Sequence, residues 1–117
     1  MDERRDLLKS LVDFTLPASS LRERLAALPW DSEGVVSLSA SQVLQILKRF
    51  LDGRISVVEL AEWADLIEGR EDIEFEKDFD SLLKQLIFEF ANPALTREKP
   101  RDVALKWIDR LTAHGEY

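Results

Sequence analysis

The chain has 117 residues, and its 23 acidic side chains against 16 lysines and arginines leave a net charge of −7. This length builds one core, so residues 1–117 are expected to form a single domain; 45% hydrophobic and 33% charged residues exclude a disordered composition. The absence of cysteine excludes disulfides, thiolate metal sites and thiol nucleophiles, and with no apolar run long enough for a leader or a span the expected setting is the cytoplasm.

Helical periodicity recurs along the chain, and strict alternation is hardly found. The first helix is expected from about Asp2 to Phe14, with Leu7, Leu8, Leu11 and Val12 on one stripe. A second begins near Pro17, a residue tolerated in a first helical turn, and carries Leu21, Leu25 and Leu28. The segment from Pro29 to Gly34 reads as a loop holding Trp30 and Asp31. Ser39 with Gln42 three residues on is a capping-box spacing, and it opens a third helix with Val43, Leu44, Leu47, Phe50 and Leu51 inward. Gly53 is placed to end that helix in a left-handed turn.

Ser56 with Glu59 forms a second capping box, opening a fourth helix with Leu60, Trp63, Ala64 and Ile67 inward and Gly69 as its stop. The densest stripe is Phe75, Phe79, Leu82, Leu83, Leu86, Ile87 and Phe90, which predicts a fifth helix ended by Asn92-Pro93. Its Phe79, Leu83, Leu86 and Phe90 are the expected heart of the core. A sixth starts around Pro100 and buries Val103, Ala104, Trp107 and Leu111, with Gly115 beyond its end. The reading is an all-α fold, a compact bundle of about six helices with short loops. Aligning Leu7–Leu25 on Ile46–Ala64, an offset of 39, gives five identities in nineteen positions. Two copies of one helical hairpin would produce this, and so would a chance match of two amphipathic hairpins.

Enzymatic constellations are sparse. The lone histidine, His114, reads as a residue of the last helix end. The run from Asp72 through Glu74, Glu76 and Asp78 to Asp80 alternates acids as a calcium loop does, but Lys77 stands where such a loop requires glycine. There is no phosphate loop, nucleophile elbow or dinucleotide fingerprint, so no cofactor and no metal are expected. A hydrolase built on carboxylates alone is the remaining enzymatic reading. The bases Arg97, Lys99, Arg101, Lys106 and Arg110 are diluted by Glu98, Asp102 and Asp109, and read as a solvated helix face.

The charge itself is unevenly placed. Ten acids and only two bases, Arg70 and Lys77, lie between Glu59 and Asp80, a net −8 that exceeds the charge of the whole chain. Like charges on a helix repel by a few tenths of a kcal/mol per adjacent pair, so folding alone gives no reason to accumulate them. Such a block points to a basic protein partner and away from nucleic acid or membrane. The candidate contacts are Asp65, Glu68, Glu71, Asp72, Glu74 and Glu76, with Trp30 as an aromatic anchor.

The segments Phe50-Leu51-x-Gly53-x-Ile55-Ser56-x-x-Glu59-Leu60 and Trp63-Ala64-x-x-Ile67-Glu68-x-Arg70-x-Asp72-Ile73, together with Ile87-Phe88-Glu89 and Ala91-Asn92-Pro93, resemble a small bacterial family. It is the all-helical, self-protective colicin-type immunity family, typified by the colicin D immunity protein. The resemblance covers roughly Val43 to Pro93 and places Glu59, Glu68 and Asp72 on motif positions. It implies a non-enzymatic protein that binds the basic nuclease domain of an RNase-type toxin and occludes its active site. A helical adaptor that docks a basic protein segment, with no toxin involved, is the alternative.

Overall fold

The computed structural model describes residues 3–27, 36–68, 70, 73–93 and 98–115. Six α-helices lie among them: α1 (Glu3–Asp13), α2 (Ala18–Ala26), α3 (Ala40–Leu51), α4 (Val57–Ile67), α5 (Asp80–Ala91) and α6 (Pro100–Gly115). The architecture is an all-α bundle with one small addition, a parallel pair of three-residue strands, β1 (Val36–Leu38) and β2 (Ile73–Phe75). The expected loop with Trp30, the stop at Gly69 and the second helix's Leu28 fall outside the described residues. No helix among the described residues is long and apolar enough to cross a membrane.

Both capping boxes form. The Ser39 hydroxyl accepts from the Gln42 N–H at 3.1 Å while the Gln42 side chain accepts from the Ser39 N–H at 2.9 Å. Ser56 and Glu59 repeat the exchange at 3.1 and 2.9 Å. Each box satisfies two of the amide donors that a helix start leaves unpaired.

The 39-residue offset reappears in the backbone. Phe14 and Gly53 both have positive φ, 51° and 81°. Around them, Phe14 N–H donates to Leu11 C=O and Thr15 N–H to Ser10 C=O, at 3.1 and 3.0 Å. Gly53 N–H donates to Phe50 C=O and Arg54 N–H to Arg49 C=O, at 3.1 and 2.9 Å. These are two Schellman turns in the same register, and α2 and α4 start at Ala18 and Val57, again 39 apart. Glycine takes this conformation at no steric cost, whereas a bulky residue is strained by about 1–3 kcal/mol. Phe14 is held there by its surroundings. The residue is 7% exposed, its ring stacks on Trp63 at 6.2 Å, and Arg49 Nη1 donates to its carbonyl at 3.1 Å.

The core expectations hold over most of the chain. Leu60, Trp63, Ala64 and Ile67 of α4, Leu83, Leu86, Ile87 and Phe90 of α5, and Val103, Ala104, Trp107 and Leu111 of α6 are buried in one cluster. In α3, Val43 and Leu47 are buried and Leu44, Phe50 and Leu51 are partly so. α4 and α5 make the most extensive helix contact, and α6 closes the bundle on α3.

The start of the fifth helix differs from the expectation. Ile73–Phe75 is a strand, Lys77–Phe79 a short 3-10 turn, and the α-helix begins only at Asp80. The reason is tertiary: Val36 and Leu38 supply a partner strand, in register opposite Ile73 and Phe75. Phe79 therefore sits at the edge of the core, half-buried, with its ring against the His114 imidazole at 4.8 Å. Gly115 is the last residue of α6 and does not lie beyond it.

These placements rank two substitutions. Leu86, fully buried, should cost roughly 2–5 kcal/mol when cut to alanine, and Phe79→Ala should cost clearly less; denaturant unfolding of both variants checks the order. Gly53→Ala meets no atom within 4 Å of the added methyl. It should cost about 1–2 kcal/mol from backbone strain alone, measurable in the same unfolding experiment.

Candidate partner-binding surface

The described parts of the acidic stretch lie in three pieces: α4, β2 with the 3-10 turn, and the start of α5. Folding divides its carboxylates by task. Glu59 is used in the capping box of α4. Asp80 pairs with Lys84 one turn along α5, at 3.2 Å. Asp65 meets Arg22 of α2 at 3.2 Å, with the two side chains 55% and 56% exposed. Glu76 is half-buried and reaches across to α3, where its Oε1 accepts the Ala40 N–H at 2.9 Å.

Magnitudes separate Asp65 from Glu76. An exposed ion pair contributes about 0–1 kcal/mol, so Asp65 can exchange Arg22 for a partner's cation at small cost. A hydrogen bond from a helix N-terminus to a carboxylate contributes more, about 1.5–3 kcal/mol, and the positive helix end adds to it. Glu76 is further fixed by its own N–H, which donates to Leu38 C=O at 2.9 Å. Its side chain ties the end of β2 to the start of α3.

Glu68 is exposed at the C-terminus of α4, and Glu74 is exposed in the middle of β2. Asp78 is exposed as well, and its carbonyl lies 2.6 Å from His114 Nε2, which links the 3-10 turn to α6. Of the expected contacts, the structure therefore brings Asp65, Glu68 and Glu74 to the surface and gives Glu76 a task in the fold. Glu71, Asp72 and Trp30 lie outside the described residues.

Between Ile73 and Phe75, the alternation that suggests a calcium loop has a different origin. Ile73 is buried and Phe75 partly buried, while Glu74 between them points to solvent. That is the two-residue period of a strand. Among the described residues no group of three or more His, Asp or Glu side chains is placed to share a metal ion.

Three of the bases of the last segment are also engaged. Lys106 pairs with Glu98 at 2.7 Å, Arg101 donates to the Leu51 carbonyl at 3.2 Å, and the Arg110 guanidinium lies 4.2 Å from the centre of the Trp107 ring. Arg97 lies outside the described residues. A polar depression lined by Asp13, Thr15, Gln42, Gln45 and Arg49 lies beside the α1–α2 turn. Its functional groups hold the turn: Gln42 Nε2 donates to Asp13 Oδ1 at 2.7 Å, and Arg49 Nη2 to the Asp13 carbonyl at 2.6 Å.

Glu76→Ala should accordingly lower stability by roughly 1.5–3 kcal/mol, whereas Asp65→Ala should change it by less than about 1 kcal/mol. Thermal or denaturant unfolding of the two variants distinguishes a carboxylate built into the fold from one available to a partner.

No family model, no curated protein and no solved structure matches this chain.

Proposed function

We propose that this protein is a non-enzymatic, cytoplasmic inhibitor that neutralises a bacterial nuclease toxin of the RNase type. In this reading its acidic surface covers the basic cleft in which the toxin would bind RNA phosphates. The observation that carries the proposal is the concentration of a net −8 between Glu59 and Asp80 on a body whose other residues are near neutral. Asp65, Glu68 and Glu74 keep this charge at the surface. The resemblance to colicin-type immunity proteins supports the same reading.

The mechanism is occlusion. Carboxylates at the surface steer a cationic domain and raise its association rate, and they select against neutral or acidic partners. Affinity needs an anchor as well, because rim charges alone contribute little once screened. Trp30 is the residue proposed for that role.

Reversing Asp65, Glu68 and Glu74 to Lys should leave the helical circular-dichroism spectrum intact, since all three are exposed. It should slow association with the nuclease domain of the cognate toxin by on the order of tenfold to a hundredfold. Cells expressing that toxin should lose protection. Reversing Asp6, Glu23 and Asp109, which are exposed on other helices, changes the net charge equally and should do little. Equal protection by both triple variants would mean the acidic surface is only solvated.

A further inference from the structure

Among the described residues, four large apolar side chains are exposed: Val57, Val58, Phe88 and Leu105. A lone exposed apolar residue is ordinary on a protein surface, so what surrounds each one decides its meaning. Phe88 has the cation Lys84 one turn before it on α5, and Leu105 has Arg101 one turn before it on α6. Val57 and Val58 are adjacent in the first turn of α4, 40% and 61% exposed. Along that helix Val58 is followed at one and two turns by Glu62, half-exposed, and Asp65, exposed. The three lie within about 60° of one another around the helix axis. Leu60, Trp63, Ala64 and Ile67 occupy the opposite face and are buried. The outer face of α4 is therefore a ridge about 10 Å long with an apolar head and an acidic tail. Asp65 already takes a cation from outside its own helix, the Arg22 guanidinium at 3.2 Å in an exposed pair.

We infer that the outer face of α4 docks a basic amphipathic helix of the partner protein, with its apolar side chains on Val57 and Val58 and its lysines or arginines beside Glu62 and Asp65. This rests on the reading that the acidic surface binds a basic protein, and it names where that surface has its grip. Charge complementarity chooses the occupant, because the carboxylates along the ridge favour a cationic one. Spacing chooses its conformation. The ridge repeats once per helical turn, and the side chains of a second helix recur at the same interval and interdigitate with it. A second copy of this chain is a poor occupant: packed in parallel, two such ridges set carboxylate against carboxylate, and packed antiparallel they bury Asp65 against valine. The fold itself gains little from the two valines. At these exposures little apolar area leaves water, a β-branched residue is a weaker helix former than alanine, and the positive end of a helix favours an acid in its first turn. Apolar contact at Val57 and Val58 would slow dissociation, and the carboxylates would supply encounter and selection.

The test uses the full-length chain and a capped helical peptide of leucine, alanine and lysine whose leucines fall on one face with lysines flanking them. Its twin has the same composition with the leucines spread around the helix. The amphipathic peptide should bind at least roughly tenfold more tightly than the twin and should shift the methyl resonances of Val57 and Val58. Val58→Asp should weaken that binding roughly tenfold although it adds a negative charge. Its melting temperature should stay or rise, because an acid suits the helix start. Leu105→Asp adds the same charge on α6 and should change the affinity little. If the twin binds as tightly and Val58→Asp keeps or raises the affinity, docking is by charge alone, and the proposal is overturned while an acidic docking surface stands. A chain that is dimeric by itself and made monomeric by Val58→Asp would put a second copy on this face and overturn it too. If neither peptide binds, docking of a basic helix on α4 is overturned. The acidic-surface reading is then decided separately, by whether the triple reversal of Asp65, Glu68 and Glu74 abolishes protection.

Discussion

The rest of the fold depends on how the end of α1 is held. Helix C-termini leave carbonyls unpaired, and burying such an end requires donors from elsewhere. Here Trp63 of α4 donates its indole N–H to Leu11 C=O at 2.7 Å inside the core. Arg49 of α3 donates to the carbonyls of both Asp13 and Phe14. Two helices of the second hairpin therefore complete the turn of the first. This junction also allows Phe14 to keep a left-handed conformation that its side chain disfavours, because ring stacking on Trp63 offsets the strain. The second hairpin solves the same turn with glycine and needs no such support.

Joining the hairpins in this way positions the surface. α4 is fixed on one side by the α1 turn through Trp63 and on the other by its packing against α5. Asp65 and Glu68 thus project from a rigid helix. β2 is fixed by its pairing with β1 and by Glu76, which meets the start of α3. The acidic stretch is therefore a chain of anchored pieces rather than one solvated helix face. Its charge is redistributed by folding: Glu59 and Glu76 cap helix starts, whereas Glu68 and Glu74 are exposed and Asp65 and Asp80 sit in exposed ion pairs that exchange at low cost. Net charge counted along the sequence overstates what a partner meets, because charges that cap helices are already spent on the fold.

The sequence determined the helices wherever a local signal was complete. Ser39–Gln42 and Ser56–Glu59 are reciprocal hydrogen-bond partners within one turn, so their spacing alone specified where α3 and α4 begin. The spacing of Leu60, Trp63, Ala64 and Ile67, and of Val103, Ala104, Trp107 and Leu111, marked the buried faces, because a helix repeats every 3.6 residues whatever it packs on. The left-handed turn at Gly53 was legible from the residue itself. Its equivalent at Phe14 was not, since nothing local favours that conformation in phenylalanine.

Only the tertiary structure decided the segment from Ile73 to Phe79. Ile73, Phe75 and Phe79 suit both a strand and a helical stripe, and a three-residue strand has no stability of its own. It exists because Val36 and Leu38, 37 positions earlier in register, present a complementary edge. A similar distance in sequence, 36 residues, hid the capping role of Glu76, whose partner Ala40 belongs to another helix start. The sequence alone specified the acidic charge of the stretch. Which carboxylates face a partner depended on contacts between residues far apart in the chain, and those are set by packing, not by local pattern.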